Sequence, residues 1–216
     1  MRYIDMKTWS RRNHFRLFST FNHPHFSMCV NADITSYHSY VKRNGYSFTV
    51  SIVYAIARAA NEIPEFRQRI RGEQVVEHEI VNPGFTILVD EDLFSFCTIE
   101  YTRDFPEFAK RAAINIAQVK EHPNLEVNSG RDDVLFMSPI PWVSFTSFTH
   151  PMQYHPADSV PRFAWGKYFK ESDRLMMPLG VQGHHALMDG IHMGRFYEKV
   201  QGYLDQPEAA PVRTTG

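Results

Sequence analysis

The stretch Gly183-His184-His185-Ala186-Leu187-Met188-Asp189-Gly190-Ile191-His192 gathers three imidazoles and a carboxylate within ten residues. Histidine takes and releases protons near neutral pH, so an imidazole fixed here is a candidate general base. Three chemistries fit the spacing. His184 and His185 can be hydrogen-bonded structural residues, with Asp189 a plain helix cap. A metal could sit on His185, Asp189 and His192, but Asp-x-x-His across a loop is not a standard zinc spacing, and His14, His23, His25 and His78 offer no evident further ligand. A lone histidine could instead deprotonate an acceptor hydroxyl or thiol, with no nucleophile of its own. A serine triad would need an elbow such as Gly-x-Ser-x-Gly, which the sequence lacks. Ser138, in Phe136-Met137-Ser138-Pro139-Ile140-Pro141-Trp142, ends a predicted strand before a Pro-x-Pro turn; its hydroxyl could donate to a developing oxyanion or bond the turn backbone.

These residues need elements to position them. The histidine cluster lies between a predicted strand, Leu175 to Val181, and a predicted helix that starts after Asp189-Gly190, runs through Phe196, Val200 and Tyr203/Leu204 and ends before Pro207. Alternation along Leu179, Val181, Gly183 and His185 puts His185 on the apolar side, with Gly180, Gln182 and His184 pointing the other way. Asp189 can cap that helix or anchor a cation, stiffening the loop that holds His185. Two more helices are predicted. Ser47 to Ile63 carries Ile52, Ile56, Ala59/Ala60 and Ile63 at helical spacing and stops at Pro64, and another spans Phe105 to Val119. Strand-like runs rich in β-branched and aromatic residues are Phe26–Ile34, Val75–Ile80, Phe85–Val89, Phe94–Tyr101, Val134–Ser138 and Val143–Phe148. Asn44-Gly45, Arg71-Gly72 and Asn82-Pro83-Gly84 read as turns, and the polar stretch from Glu121 to Asp133 as a long connection. Strands arriving without intervening helices favour an α/β chain of α+β type with antiparallel or mixed pairing. No repeat or internal linker divides it, so one domain is expected over 1–206, with a flexible end at 207–216.

Composition narrows the function. Lys+Arg 23 against Asp+Glu 24 leaves no basic excess for nucleic acid. No apolar run reaches the roughly 18 residues of a membrane helix, the first five residues lack a signal-peptide core, and Cys29 and Cys97 read as separate buried thiols, so a cytoplasmic protein is expected. The chain is rich in rings, with 17 Phe, 10 Tyr and 11 His.

His184-His185-Ala186-Leu187-Met188-Asp189-Gly190-Ile191-His192-Met193-Gly194-Arg195-Phe196 resembles the H-H-x-x-x-D-G-F-H-x-G-R-F signature of the chloramphenicol acetyltransferase family. Ser138-Pro139-Ile140-Pro141-Trp142-Val143-Ser144-Phe145-Thr146-Ser147-Phe148 resembles its S-x-x-P-W-V-S-F-T-S-F segment, and Ser138 stands from His185 at the family's separation. Trp9-Ser10-Arg11-Arg12-Asn13-His14-Phe15 resembles W-x-R-R-x-H-F, and Pro64-Glu65-Phe66-Arg67 its P-E-F-R. The histidine motif alone also marks other acyltransferases and condensation domains; the four segments in order are much more specific.

The resemblance implies a mixed β-sheet flanked by helices and a homotrimer with each active site between two subunits. It implies an O-acetyltransferase with no bound cofactor and acetyl-CoA as co-substrate. His185 would be the general base, Ser138 the oxyanion donor, and Asp189 with Arg11 a structural ion pair holding the catalytic loop. Lys167 would lie near the CoA phosphate, and Phe18, Phe26, Phe94 and Phe148 would line the acceptor pocket. Several positions depart from the family: Phe18 replaces a tyrosine, Ala164 a threonine, Pro24 a cysteine, His150 and Met152 a leucine and a valine, and Ser47 a CoA-contacting lysine. These departures leave the chemistry intact and bear on the acceptor, chloramphenicol or a different hydroxylated small molecule. A protein that binds such a ligand without turnover is the alternative from another class.

Overall fold

The computed structural model describes residues 1–123, 125, 130–153 and 156–208. In chain order the elements are β1 (Arg2–Tyr3), α1 (Arg12–Phe18), β2 (His25–Asp33), α2 (Thr35–Arg43), α3 (Phe48–Asn61), a 3-10 turn (Pro64–Arg67), β3 (Gln68–Arg71) and β4 (Gln74–Glu77). There follow β5 (Asn82–Leu88), β6 (Phe94–Thr98), α4 (Phe105–Glu121), β7 (Val134–Ile140), β8 (Arg162–Gly166), β9 (Phe169–Glu171), β10 (Arg174–His184) and α5 (Gly190–Asp205).

The three sequence-predicted helices form within a residue or two of their expected ends, each for a local reason. Ser47 caps α3 by accepting from the Val50 N–H, and Pro64, which cannot continue the helix, opens the 3-10 turn. Asp104 caps α4 through the Glu107 N–H at 3.0 Å. Helix α3 is apolar nearly all round and almost wholly buried, as such a pattern requires.

A seven-stranded sheet holds the molecule together in the order β2-β10-β8-β7-β5-β6, with β9 on the end of β10. Its pairing is mixed: β5–β7 and β7–β8 are parallel and the other pairs antiparallel. On one face Phe85, Cys97, Met137, Phe163 and Val181 pack in a single buried cluster with Ile52, Val53 and Ile56 of α3 and Phe196 and Val200 of α5. A small sheet, β1-β4-β3, stands beside it. Arg69 joins the two, its fully buried guanidinium donating to the carbonyls of Phe66, Asp132 and Val134. No described helix is long and apolar enough to cross a membrane.

Four readings change. Asn82-Pro83-Gly84 is the start of β5, not a turn: proline is tolerated at a strand's beginning, and at Gly84 a Cβ would crowd Thr98 Oγ1 at 3.2 Å. Val143–Phe148 is not a strand. Its rings turn onto the sheet instead, with Phe148 Cβ 3.6 Å from where a Cβ at Gly180 would stand. The run from Phe94 stops pairing at Thr98. Ser138 lies inside β7, which continues to Ile140, and does not end it. Part of the 121–133 connection, and the end of the chain from 209, lie outside the described residues.

Candidate active site

Strand β10 delivers the histidines to the edge of the fold. Its ladder ends at His184, paired with His25 of β2, and the chain then turns back sharply, with the N–H groups of Leu187 and Met188 both donating to the His184 carbonyl. At Gly183 the Met188 and Met193 side chains pack into the space a Cβ would take. His185 is the first residue past the strand, and its N–H donates to the Pro24 carbonyl at 2.8 Å.

The two histidines differ in setting, and strand alternation stops short of His185 because β10 ends at His184. His184 is buried, and its Nδ1 accepts from the Ala186 N–H at 3.2 Å. Burial, then the neighbouring His25, push its pKa down to about 4, so it is a neutral structural ring. His185 is half-buried between two phenylalanines. Phe18 lies flat against it, with centroids 3.9 Å apart and planes 6° apart, and Phe26 lies at 4.6 Å. The His185 Nδ1 is buried and has no hydrogen-bond partner among the described residues.

One short segment supplies both restraints on His185. Arg11 precedes α1 and Phe18 ends it. The Arg11 Nη1 donates to Asp189 Oδ2 at 2.6 Å, and its Nη2 donates to the His185 carbonyl at 3.2 Å. Asp189 is the N-cap residue of α5, so the ion pair links the helix start, the turn and the N-terminal segment. Burial opposes the charge on Asp189, but the Arg11 guanidinium prevails and holds the carboxyl below the usual carboxylate range. Asp189 thus stands at the N-cap position while its side chain pairs with Arg11. The metal grouping of His185, Asp189 and His192 does not assemble: His192 Nδ1 accepts from the Asp189 N–H at 3.0 Å, and among the described residues no cluster of three such side chains is placed to hold a metal.

The other candidates lie elsewhere in the same chain. Ser138 stands opposite Ala164 of β8, which stands opposite Gly180 of β10. Register places Phe94, Phe136, Ser138, Ala164 and Gly180 on one face, with Phe148 packed over Gly180. Phe94 is exposed on β6, at the sheet edge opposite β2. Lys167 is exposed just past β8, its N–H donating to the Val143 carbonyl at 2.9 Å. The structure therefore gathers Arg11, Phe18, Phe26 and Asp189 around His185, and leaves Ser138, Phe94, Phe148 and Lys167 apart from it.

Two contributors escape a reading by motif. Pro24 acts through its carbonyl, which no side-chain pattern reveals. Glu65 faces His192, with Oε1 3.4 Å from Nε2. The Asp189-x-x-His192 spacing is the signal that could have exposed this second partnership, because it occupies the N-cap and N3 positions of a capping box.

The family model for chloramphenicol acetyltransferase matches residues 1–201. A chloramphenicol acetyltransferase of Proteus mirabilis is 36% identical over 204 residues, covering 94% of each chain. A solved chloramphenicol acetyltransferase superposes with a TM-score of 0.89 at 31% identity, covering 94% of this chain and 99% of that one. A dihydrolipoamide acetyltransferase of Azotobacter vinelandii shares the fold alone, with a TM-score of 0.69 at 20% identity over 92% of this chain and 88% of its own. The chain, with its mixed sheet and its histidine turn, therefore belongs to the chloramphenicol acetyltransferase family and is an acyltransferase.

Proposed function

We propose that the protein is a cytoplasmic, homotrimeric O-acetyltransferase, one domain through residue 206, that moves acetyl from acetyl-CoA directly to a hydroxyl of chloramphenicol. His185 is the general base. It takes the hydroxyl proton as the acceptor oxygen attacks the thioester carbonyl. Ser138 Oγ donates to the tetrahedral oxyanion, whose collapse releases the CoA thiolate, and the imidazolium returns the proton to that sulfur. Phe18, Phe26, Phe94 and Phe148 line the acceptor site, and Lys167 faces the CoA phosphates. Ser138, Phe94 and Phe148 reach His185 from a neighbouring copy.

The observation that carries this reading is the setting of the His185 ring. It lies flat on Phe18 with Nδ1 buried, which leaves Nε2 for an acceptor. Arg11 and Asp189 hold the backbone that carries the ring. The two chloramphenicol acetyltransferases named above act, by their names, on chloramphenicol, and two unpaired thiols, Cys29 and Cys97, suit a reducing compartment. Thiol release from acetyl-CoA, followed with and without chloramphenicol, tests the proposal.

A second reading keeps the chemistry and changes the acceptor. It is favoured by His150, whose ring stands edge-on to Phe148 at 4.5 Å beside the Gln182 amide, with both nitrogens buried and neither in a well-formed hydrogen bond to another of the described residues. Burial, then Arg162, push its pKa down to about 4, so it offers one donor and one acceptor where the family has an apolar residue. A more polar alcohol would satisfy them, and release of thiol with such an alcohol but not with chloramphenicol would select this reading.

A further inference from the structure

We infer that His192 and Glu65 are positioning residues for the acetyl-transfer step, forming the outer part of a chain of contacts that ends on the His185 backbone. The inference rests on the reading of His185 as the base.

The chain begins at Glu65, in the 3-10 turn that follows α3. Glu65 Oε1 lies 3.4 Å from His192 Nε2, in a setting where His192 is 6% exposed and the Glu65 side chain 18%. On the far side of the ring, Nδ1 accepts from the Asp189 N–H at 3.0 Å. Asp189 Oδ1 is only 2.9 Å from the same nitrogen yet makes no hydrogen bond to it. Acceptance from the Asp189 N–H calls for a lone pair on Nδ1, and Glu65 beside the opposite nitrogen favours the ring proton on Nε2. Burial works against the Glu65 charge, but His192 and then Arg11 hold its carboxyl below the usual range, so a carboxylate is available to fix that tautomer.

The consequence lies at Asp189. A capping box normally satisfies the N-cap N–H with a glutamate or glutamine at N3; here an imidazole does so, and Glu65 sets which of its nitrogens is the acceptor. With its backbone fixed, Asp189 can aim Oδ2 at Arg11, whose other nitrogen holds the His185 carbonyl. Four side chains from three distant parts of the sequence thereby restrain one turn. None of them touches the reacting atoms.

The arrangement makes a demand that packing alone does not: one nitrogen matters. An Asn at 192 places an amide oxygen near the Nδ1 position and can still accept from the Asp189 N–H, while a Gln places its amide near Nε2 and leaves that N–H without an acceptor. The test is steady-state kinetics on His192→Asn, His192→Gln and Glu65→Ala in the full-length protein, with melting temperatures and with His185→Ala in the same assay. His192→Asn is expected to keep kcat within about threefold, and His192→Gln to lower it about 10- to 100-fold at unchanged KM for acetyl-CoA and acceptor, the size a misplaced base produces. Glu65→Ala should shift kcat the same way by a smaller factor. Equal losses in the Asn and Gln variants, or none in either, would overturn the inference. If His192→Gln does not fold, Glu65→Ala decides: kcat lowered at constant KM supports the inference, and unchanged kcat overturns it. Full activity in His185→Ala would remove the base itself, and the inference with it, whereas an essential His185 beside an active His192→Gln would overturn the positioning role alone.

Discussion

Ser138 and His185 of one chain do not meet. Ser138 is two strands from Gly180, through Ala164, and Gly180 is five residues short of His185. At ordinary strand dimensions the two are separated by about 10 Å across the sheet and about 16 Å along it. One thioester carbonyl cannot lie within hydrogen-bond reach of both, so under the proposed mechanism each site draws its base and its oxyanion donor from different copies. Mixing inactive His185→Ala and Ser138→Ala subunits, unfolding them and refolding them together should restore about a quarter of the sites by random assembly. Recovery is read as thiol release, and a mixture as inactive as its parents would count against the shared site.

Phe18 should matter to both binding and turnover. Its ring lies flat on His185 and replaces water on one face of the base. Phe18→Ala is expected to lower kcat/KM about fivefold, in line with the ~1 kcal/mol of an aromatic contact, with most of the change in kcat. Phe18→Tyr should stay near the parent value. A Phe18→Ala enzyme with unchanged kcat would show that the stack does not orient the imidazole.

The Arg11–Asp189 pair should be costly to break from either side. The Arg11 side chain is 12% exposed and that of Asp189 29%, so removing one leaves the other poorly solvated. Asp189→Asn or Arg11→Ala is expected to cost about 3 kcal/mol of stability and to lower kcat while KM for acetyl-CoA holds. Because the folded-state pKa of Asp189 is depressed, its contribution is present above the ordinary aspartate value near 3.8 and is lost as pH falls through the folded value. Thermal melts of both variants against pH check this.

Mild acid should destabilise the fold before it protonates the carboxylates. His150 and His184 have pKa values near 4, well below the ordinary 6.5 of histidine, so between these limits the unfolded chain binds protons that the folded chain refuses. Stability should be flat above about pH 6.5 and decline steadily toward pH 4. His150→Leu should flatten the lower part of that curve, and an unaltered curve in that variant would assign the loss to other groups.

The three longer helices were legible in the sequence, whereas the short α1 and α2 were not. The Ser47–Ile63 run is apolar at helical spacing between a serine cap and Pro64, so local signals alone define α3. Asn82-Pro83-Gly84 carries the composition of a turn, yet it is a strand start because β7 runs beside it, a contact no local pattern records. Val143–Phe148 has strand composition, but its rings cover the sheet's open face where Gly166 and Gly180 admit them. The Arg11–Asp189 pair followed from the family resemblance, whereas the stacking of Phe18 and Phe26 on His185, Glu65 and the Pro24 carbonyl depend on distances that only the folded chain provides.

Thiol release with purified protein, acetyl-CoA and chloramphenicol, run beside His185→Ala, bears most directly on the central claim. The account expects rapid chloramphenicol-dependent release that falls by several orders of magnitude in the variant while chloramphenicol binding persists. Parent-like release from a folded His185→Ala enzyme would contradict it.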